Sequence, residues 1–205
     1  MSQAELSVTS RGKPIRWHYL WYVAVALVVM VVVIASGHLW SLNFVHVFSG
    51  LLWTGIDLFM GFVLGPILRV IDISARKAVL LRLTPRTLFL MPTLSIITGT
   101  TGWFLAKDMG FTGLNWPQSA WIAAAVALVV LMAIQGLAYL LPTNLRVCLE
   151  LQRNNPDSTR IARLTNRYFV AVASQGVMQV VTIINHGAFG DGDLIGEIQP
   201  RSIGG

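Results

Sequence analysis

Five nearly unbroken apolar stretches, at about 20–38, 44–68, 87–105, 119–141 and 168–186, decide what this 205-residue chain can become. A helix needs roughly 20 apolar residues to cross a hydrocarbon layer of about 30 Å, and within that layer the backbone must satisfy its own hydrogen bonds. The expected fold is therefore an all-α integral membrane protein with five transmembrane helices in one bundle. Only 12% of the residues are charged, half the roughly 25% of an ordinary soluble domain. That shortfall excludes a disordered chain, a disulfide-stapled secreted module and a typical cytosolic enzyme. The membrane region is expected to span 20–186, preceded by a basic segment 1–19 and followed by a glycine-rich, acidic tail 187–205.

The net charge of +6 is not spread as a nucleic-acid footprint would be. Arg11, Lys13 and Arg16 precede the first stretch. Arg69, Arg76, Lys77, Arg82 and Arg86 separate the second from the third, and Arg146, Arg153, Arg160, Arg163 and Arg167 the fourth from the fifth. Thus 13 of the 15 Lys and Arg residues fall on one side of a five-helix arrangement, leaving Lys107 and Arg201 on the other. The positive-inside rule then puts the N-terminus in the cytoplasm and the C-terminus outside. The basic loops face lipid headgroups, and no nucleic-acid partner is expected. The apolar run 20–36 is too long for a cleaved signal core, so it reads as a retained anchor. Ser41-Leu42-Asn43 reads as the turn of a tight hairpin, and His18, Tyr168, Trp40 and Trp116 as interface residues. Residues 70–85 are expected to hold a short helix lying in the interface, with Asp72 and Arg76 paired four apart. Asn-Asn-Pro-Asp at 154–157 signals a turn.

Motifs with fixed chemical spacing are missing from the sequence. There is no C-x-x-C-H or C-x-x-C, no H-E-x-x-H, no phosphate-binding G-x-x-x-x-G-K-[ST] and no G-x-S-x-G. The lone Cys148 forms no internal disulfide. What remains is a set of polar residues inside apolar helices, and these have geometry. In the second stretch His46 and Asp57 are eleven apart, within roughly 20° of each other on a helix, with Trp53 and Gly50 on the same stripe. Gly61 and Gly65 form a small-xxx-small pair that lets another helix approach closely. The fifth stretch carries Gln175, Gln179, Thr182 and His186 on one face.

Those two stripes run antiparallel with matching offsets. Each histidine lies about 16 Å from its polar partner deeper in the membrane. If the stripes face each other, His46 meets His186 near the outer surface and Asp57 meets Gln175 near mid-membrane. The histidines then suit axial ligation of haem b, or of copper, with His38 as an alternative ligand and Ser49 or Asn185 bonding a second ring nitrogen. The competing reading leaves them as interfacial imidazoles. Asp57 at the bilayer centre costs about 2.5–3.5 kcal/mol on the mildest scale, so it reads as a proton relay or as helix glue hydrogen-bonded to Gln175, Gln179 or Thr98. The Ser and Thr hydroxyls of the third stretch can also bond their own helix.

The run His46-Val-Phe-Ser-Gly50-Leu-Leu-Trp53-Thr-Gly55 resembles the H-x-x-x-G-x-x-W-x-G pattern of a loose group of bacterial membrane proteins. That group includes the membrane domain of cytochrome-c-fused urate oxidases and the copper-resistance D-type proteins. Ile184-Asn185-His186 is similar to the Asn-His pair that closes a late helix in the urate-oxidase membrane domain. The resemblance implies a helical bundle in a bacterial inner membrane, with His46 and His186 holding haem or copper. The resulting expectation is a haem-b membrane subunit passing electrons between quinone and a redox partner, within a larger complex or a homo-oligomer. Copper or proton transport through the histidines and Asp57, and a non-catalytic scaffold, are the alternatives.

Overall fold

The computed structural model describes residues 19–116, 118–151, 153 and 155–190, except for the side chains of 118, 121 and 185–190. The expected segment before residue 19, with His18, and the tail from 191 onward lie outside the described residues. Every regular element described is helical. Five helices are long and apolar enough to cross a membrane. They are α1 (Tyr19–Ser36), α2 (Leu39–Val70), α3 (Ile73–Asp108), α4 (Gln118–Ile134 continuing through 151) and α5 (Ser158–Gly190).

The helices outrun the apolar stretches because caps, such as those of Asp72 and Asp157, and not hydropathy mark where a helix begins. At 1.5 Å per residue the 36-residue α3 is about 54 Å long, nearly twice the hydrocarbon thickness. The interfacial helix expected at 70–85 is therefore corrected. Ile71 and Asp72 are a short break, and the rest is the basic end of α3 itself. Asp72 does not pair with Arg76. Its side chain caps α3, accepting from the Ala75 N–H at 3.0 Å and the Ser74 hydroxyl at 2.7 Å, while Arg76 donates to the Arg69 carbonyl. The hairpin turn also moves. It falls at Gly37 and His38, with Gly37 at φ +65°, a left-handed conformation that glycine adopts without strain, and Ser41-Leu42-Asn43 is already helix. The turn signal at 154–157 ends on Asp157, whose carboxylate caps α5 through the Thr159 and Arg160 N–H groups.

α2 is the central helix, and glycines set its distances. Its first half packs on α3, through His46 and Gly50, and its second half on α5, through Gly61 and Gly65. A Cβ at Gly61 would sit 2.6 Å from the Ala173 backbone, and one at Gly65 would sit 3.1 Å from the Phe169 ring. Facing them, Gly176 receives the Leu58 side chain. The main apolar core, including Met60, Leu68, Val147, Phe169 and Val172, lies where α2, α4 and α5 meet at the basic end. α1 is peripheral: Met30 is its buried residue, and the Tyr19 hydroxyl accepts from Arg86 of α3.

Two irregular helices leave a gap. The 141–151 half of α4 packs against α3, whereas the 118–134 half leans on α5 and away from α3. Pro92 interrupts α3 at this level, removing the N–H that would bond the Leu88 carbonyl. Opposite it, α4 widens into a π-turn over Gln135–Leu140, a distortion that recurs at functional sites. A second π-turn, Phe59–Leu64, follows Asp57 in α2.

Candidate functional site

Asp57 is 1% exposed, at the centre of the bundle. Its Oδ2 accepts two hydrogen bonds from α5, from Gln175 Nε2 at 3.2 Å and Gln179 Nε2 at 3.1 Å. The interior placement and the level of Gln175 follow the helical spacing. The ion pairs of the described residues belong instead to Glu150, which is bridged by Arg153 and Arg160 at the basic end. Three buried oxygens here have no hydrogen-bond partner: Asp57 Oδ1, Gln175 Oε1 and Gln179 Oε1. Trp53, one turn away on the same face, is near enough to influence the carboxyl but does not satisfy Oδ1. A buried acceptor left unpaired costs about 1–3 kcal/mol, so this cluster is chemically unfinished.

It is also open to a cavity. A space of about 260 Å³ lies in the α3–α4 gap, and Asp57, Trp53 and Gln175 line its inner wall. Met91, Leu88 and Ile96 of α3 face Val129, Met132 and Leu137 of α4 across it. Ile96 and Leu137 are also exposed on the outside of the bundle, so the gap opens through its side. Small residues make the room, since a Cβ at Gly136 would meet nothing within 4 Å. Asn144, Thr87 and Tyr168 line the cavity toward the basic end. The sequence pattern gives none of the three this role. Tyr168, expected as an interface aromatic, is buried, its ring edge-on to Phe169. Asn144 donates to the Thr87 hydroxyl at 3.1 Å.

The histidines take other places. His46, expected to face the last helix, also meets α3, its Nδ1 lying 3.0 Å from the Thr98 carbonyl. Its ring fills the notch at Gly102, where an added Cβ would come within 2.6 Å of Cε1. One straight stripe on α2 thus meets α3 at its N-terminal end and α5 toward its C-terminal end, because α2 sits in the groove between them. Thr98 belongs with His46 and not with Asp57, since its hydroxyl donates to Ser49 at 2.9 Å. Ser49 in turn bonds the Val45 and His46 carbonyls and not the imidazole. Gly50 rests against the Thr98 methyl. His38 is exposed at the hairpin turn. His186 belongs to the last turn of α5, and its side chain lies outside the described residues.

A haem iron needs an axial nitrogen facing an open plane wide enough for the macrocycle. The residues around His46 form a helix-packing lock, and the described lining of the cavity contains no histidine. Among the described residues no three His, Cys, Asp or Glu side chains converge as metal ligands. The described residues alone assemble no haem b or copper site, and the side chain of His186, the second expected ligand, lies outside them.

The fold and site together define a class: a five-helix bundle of membrane-spanning length that holds a buried carboxyl at the wall of a laterally open cavity. No family model, curated protein or solved structure matches the chain.

Proposed function

We propose that the protein is a membrane subunit that binds a quinone-class molecule, entering sideways from the bilayer, with its ring in the α3–α4 cavity and its oxygen at Asp57. The observation that carries this reading is the unpaired Asp57 Oδ1 at the wall of an otherwise apolar space. Oδ1 accepts a hydrogen bond from a head-group hydroxyl or, when protonated, donates one to a head-group carbonyl. The volume of about 260 Å³ exceeds the roughly 150 Å³ that holds a benzene ring. Met91, Met132 and Trp53 supply polarisable surface for a flat ring. Among the described residues no Lys or Arg lines the cavity, which disfavours phospholipid or isoprenyl-phosphate head groups, because their charge would be buried uncompensated. In this reading the bundle lies in a bacterial inner membrane with its basic loops in the cytoplasm, and electrons pass to a partner subunit. His46 and Asp57 have separate duties, one holding α2 to α3 and the other meeting the ligand.

Titration of the protein in lipid nanodiscs with a short-chain quinol tests this. Wild type should bind saturably. Asp57→Leu, which removes the polar contact, and Gly136→Leu, which fills the cavity, should each weaken binding about tenfold or more, the equivalent of losing roughly 1.4 kcal/mol. Equal affinity in wild type and both variants would remove the cavity from the account.

A further inference from the structure

Beyond the large cavity, toward the basic end, lies a second space of about 10 Å³, lined by Thr84, Thr87, Asn144, Thr165 and Tyr168 among others. That is room for one water, which needs two to four polar partners to stay. The Thr165 hydroxyl, buried and bonded to nothing, is one such partner, and Thr84, Thr87, Asn144 and Tyr168 line the same space. Thr87, Asn144 and Tyr168 line both spaces and so form the wall between them. Tyr168, Val172 and Gln175 are buried on one face of α5, four and three residues apart, so the phenol and the Gln175–Asp57 pair share one seam. On the solvent side, Glu150 stands six residues past Asn144 in α4, about 9 Å along the axis, and is bridged to the exposed Arg153 and Arg160.

We infer that this seam is a proton route, carrying protons between the basic end of the bundle and Asp57 through a water at Thr165 and the hydroxyls of Thr87 and Tyr168. It deepens the quinone-binding reading and rests on it, since it supplies the proton that the Asp57 carboxyl exchanges with a bound head group. Each hydroxyl gives one proton forward and takes one from behind, so one proton enters at the Thr165 water for each one arriving at Asp57, and no electron moves. A phenol and two threonines are suited to this, because each both donates and accepts. At rest the Thr87 hydroxyl donates to the Leu83 and Thr84 carbonyls of its own helix and accepts from Asn144, so it passes a proton by rotating off those carbonyls. What marks the basic end as the entry side is the unpaired, buried Thr165 hydroxyl at the small space.

The test is hydrogen–deuterium exchange at the Asp57 carboxyl, followed by infrared spectroscopy of the protein in bilayers after a switch to D₂O. The Asp57 band is the carboxylic C=O stretch that Asp57→Asn removes. Tyr168→Phe keeps the ring packed on Phe169 and should slow the exchange about tenfold or more, equivalent to roughly 1.4 kcal/mol of barrier. Thr165→Val, which touches only the small space, should slow it likewise while leaving quinol affinity unchanged. Ser49→Ala, at the other end, should leave the rate as it is. Equal rates in wild type, Tyr168→Phe and Thr165→Val would overturn the route and leave the binding reading standing. Absence of an exchangeable Asp57 band in wild type would overturn it too, whereas loss of quinol binding in the Asp57→Leu and Gly136→Leu titration bears on the binding reading alone.

Discussion

Asp57 and Asp72 are both carboxyls that accept two hydrogen bonds, yet they answer to different physics. Asp72 is exposed, and the Ser74 hydroxyl and the Ala75 N–H hold its carboxyl below the ordinary value of 3.8. Folding therefore favours the ionised form. The cap's contribution is fully present above the ordinary carboxylate range and is lost as pH falls through the lowered value. Protection of the Ala75 amide, its exchange measured against the intrinsic rate at each pH, should fall on acidification in wild type, and Asp72→Asn, which caps without ionising, should flatten that response. An equal pH response in both would refute the cap. Asp57 owes its place to helical spacing, which is why its pairing with Gln175 and Gln179 is legible in the sequence alone. His46 is only half legible. Its face on α2 follows from the same arithmetic, but the neighbour it meets depends on how α2 crosses α3 and α5, and no single-helix period contains that. Tyr168 and Asn144 are hidden for another reason: they sit at the edges of apolar stretches, where a buried residue and an interfacial one have the same composition.

Among the elements, α2 is placed by absent side chains. At Gly61 a methyl would press on the Ala173 backbone, whereas at Gly55 it would meet nothing within 4 Å. Gly61→Ala should therefore cost about 1–3 kcal/mol through overpacking. Gly55→Ala should be neutral or stabilising by up to about 1 kcal/mol, through helix propensity alone. Thermal unfolding in detergent reads both, and matching melting points would show that the α2–α5 contact is not close-packed. The small-xxx-small spacing announces this contact in the sequence. Helix ends are less legible, because apolar runs mark where lipid touches a helix and caps mark where the helix stops. At the start of α3 these lie more than a turn apart.

For the whole molecule, the asymmetry of Lys and Arg predicts an orientation that two engineered cysteines can read. In a Cys148→Ala background, Lys77→Cys should react with a membrane-impermeant maleimide only in inverted vesicles. Lys107→Cys should react only in right-side-out vesicles. The opposite pattern would reverse the direction of the proton route as well. The five-helix count is plain in the sequence, but the cavity is not. It arises where Pro92 and the Gln135–Leu140 π-turn part α3 from α4, and neither feature states at sequence level that it will face the other. The central claim is that this gap receives a flat head group at Asp57. Photolabelling of the protein in nanodiscs with an azido-quinone, followed by peptide mapping, tests it most directly. The account predicts label on 88–100 of α3 and 129–137 of α4, competed by unlabelled quinol and abolished by Gly136→Leu. Label spread over the lipid-facing surface of α1 and unaffected by Gly136→Leu would contradict it.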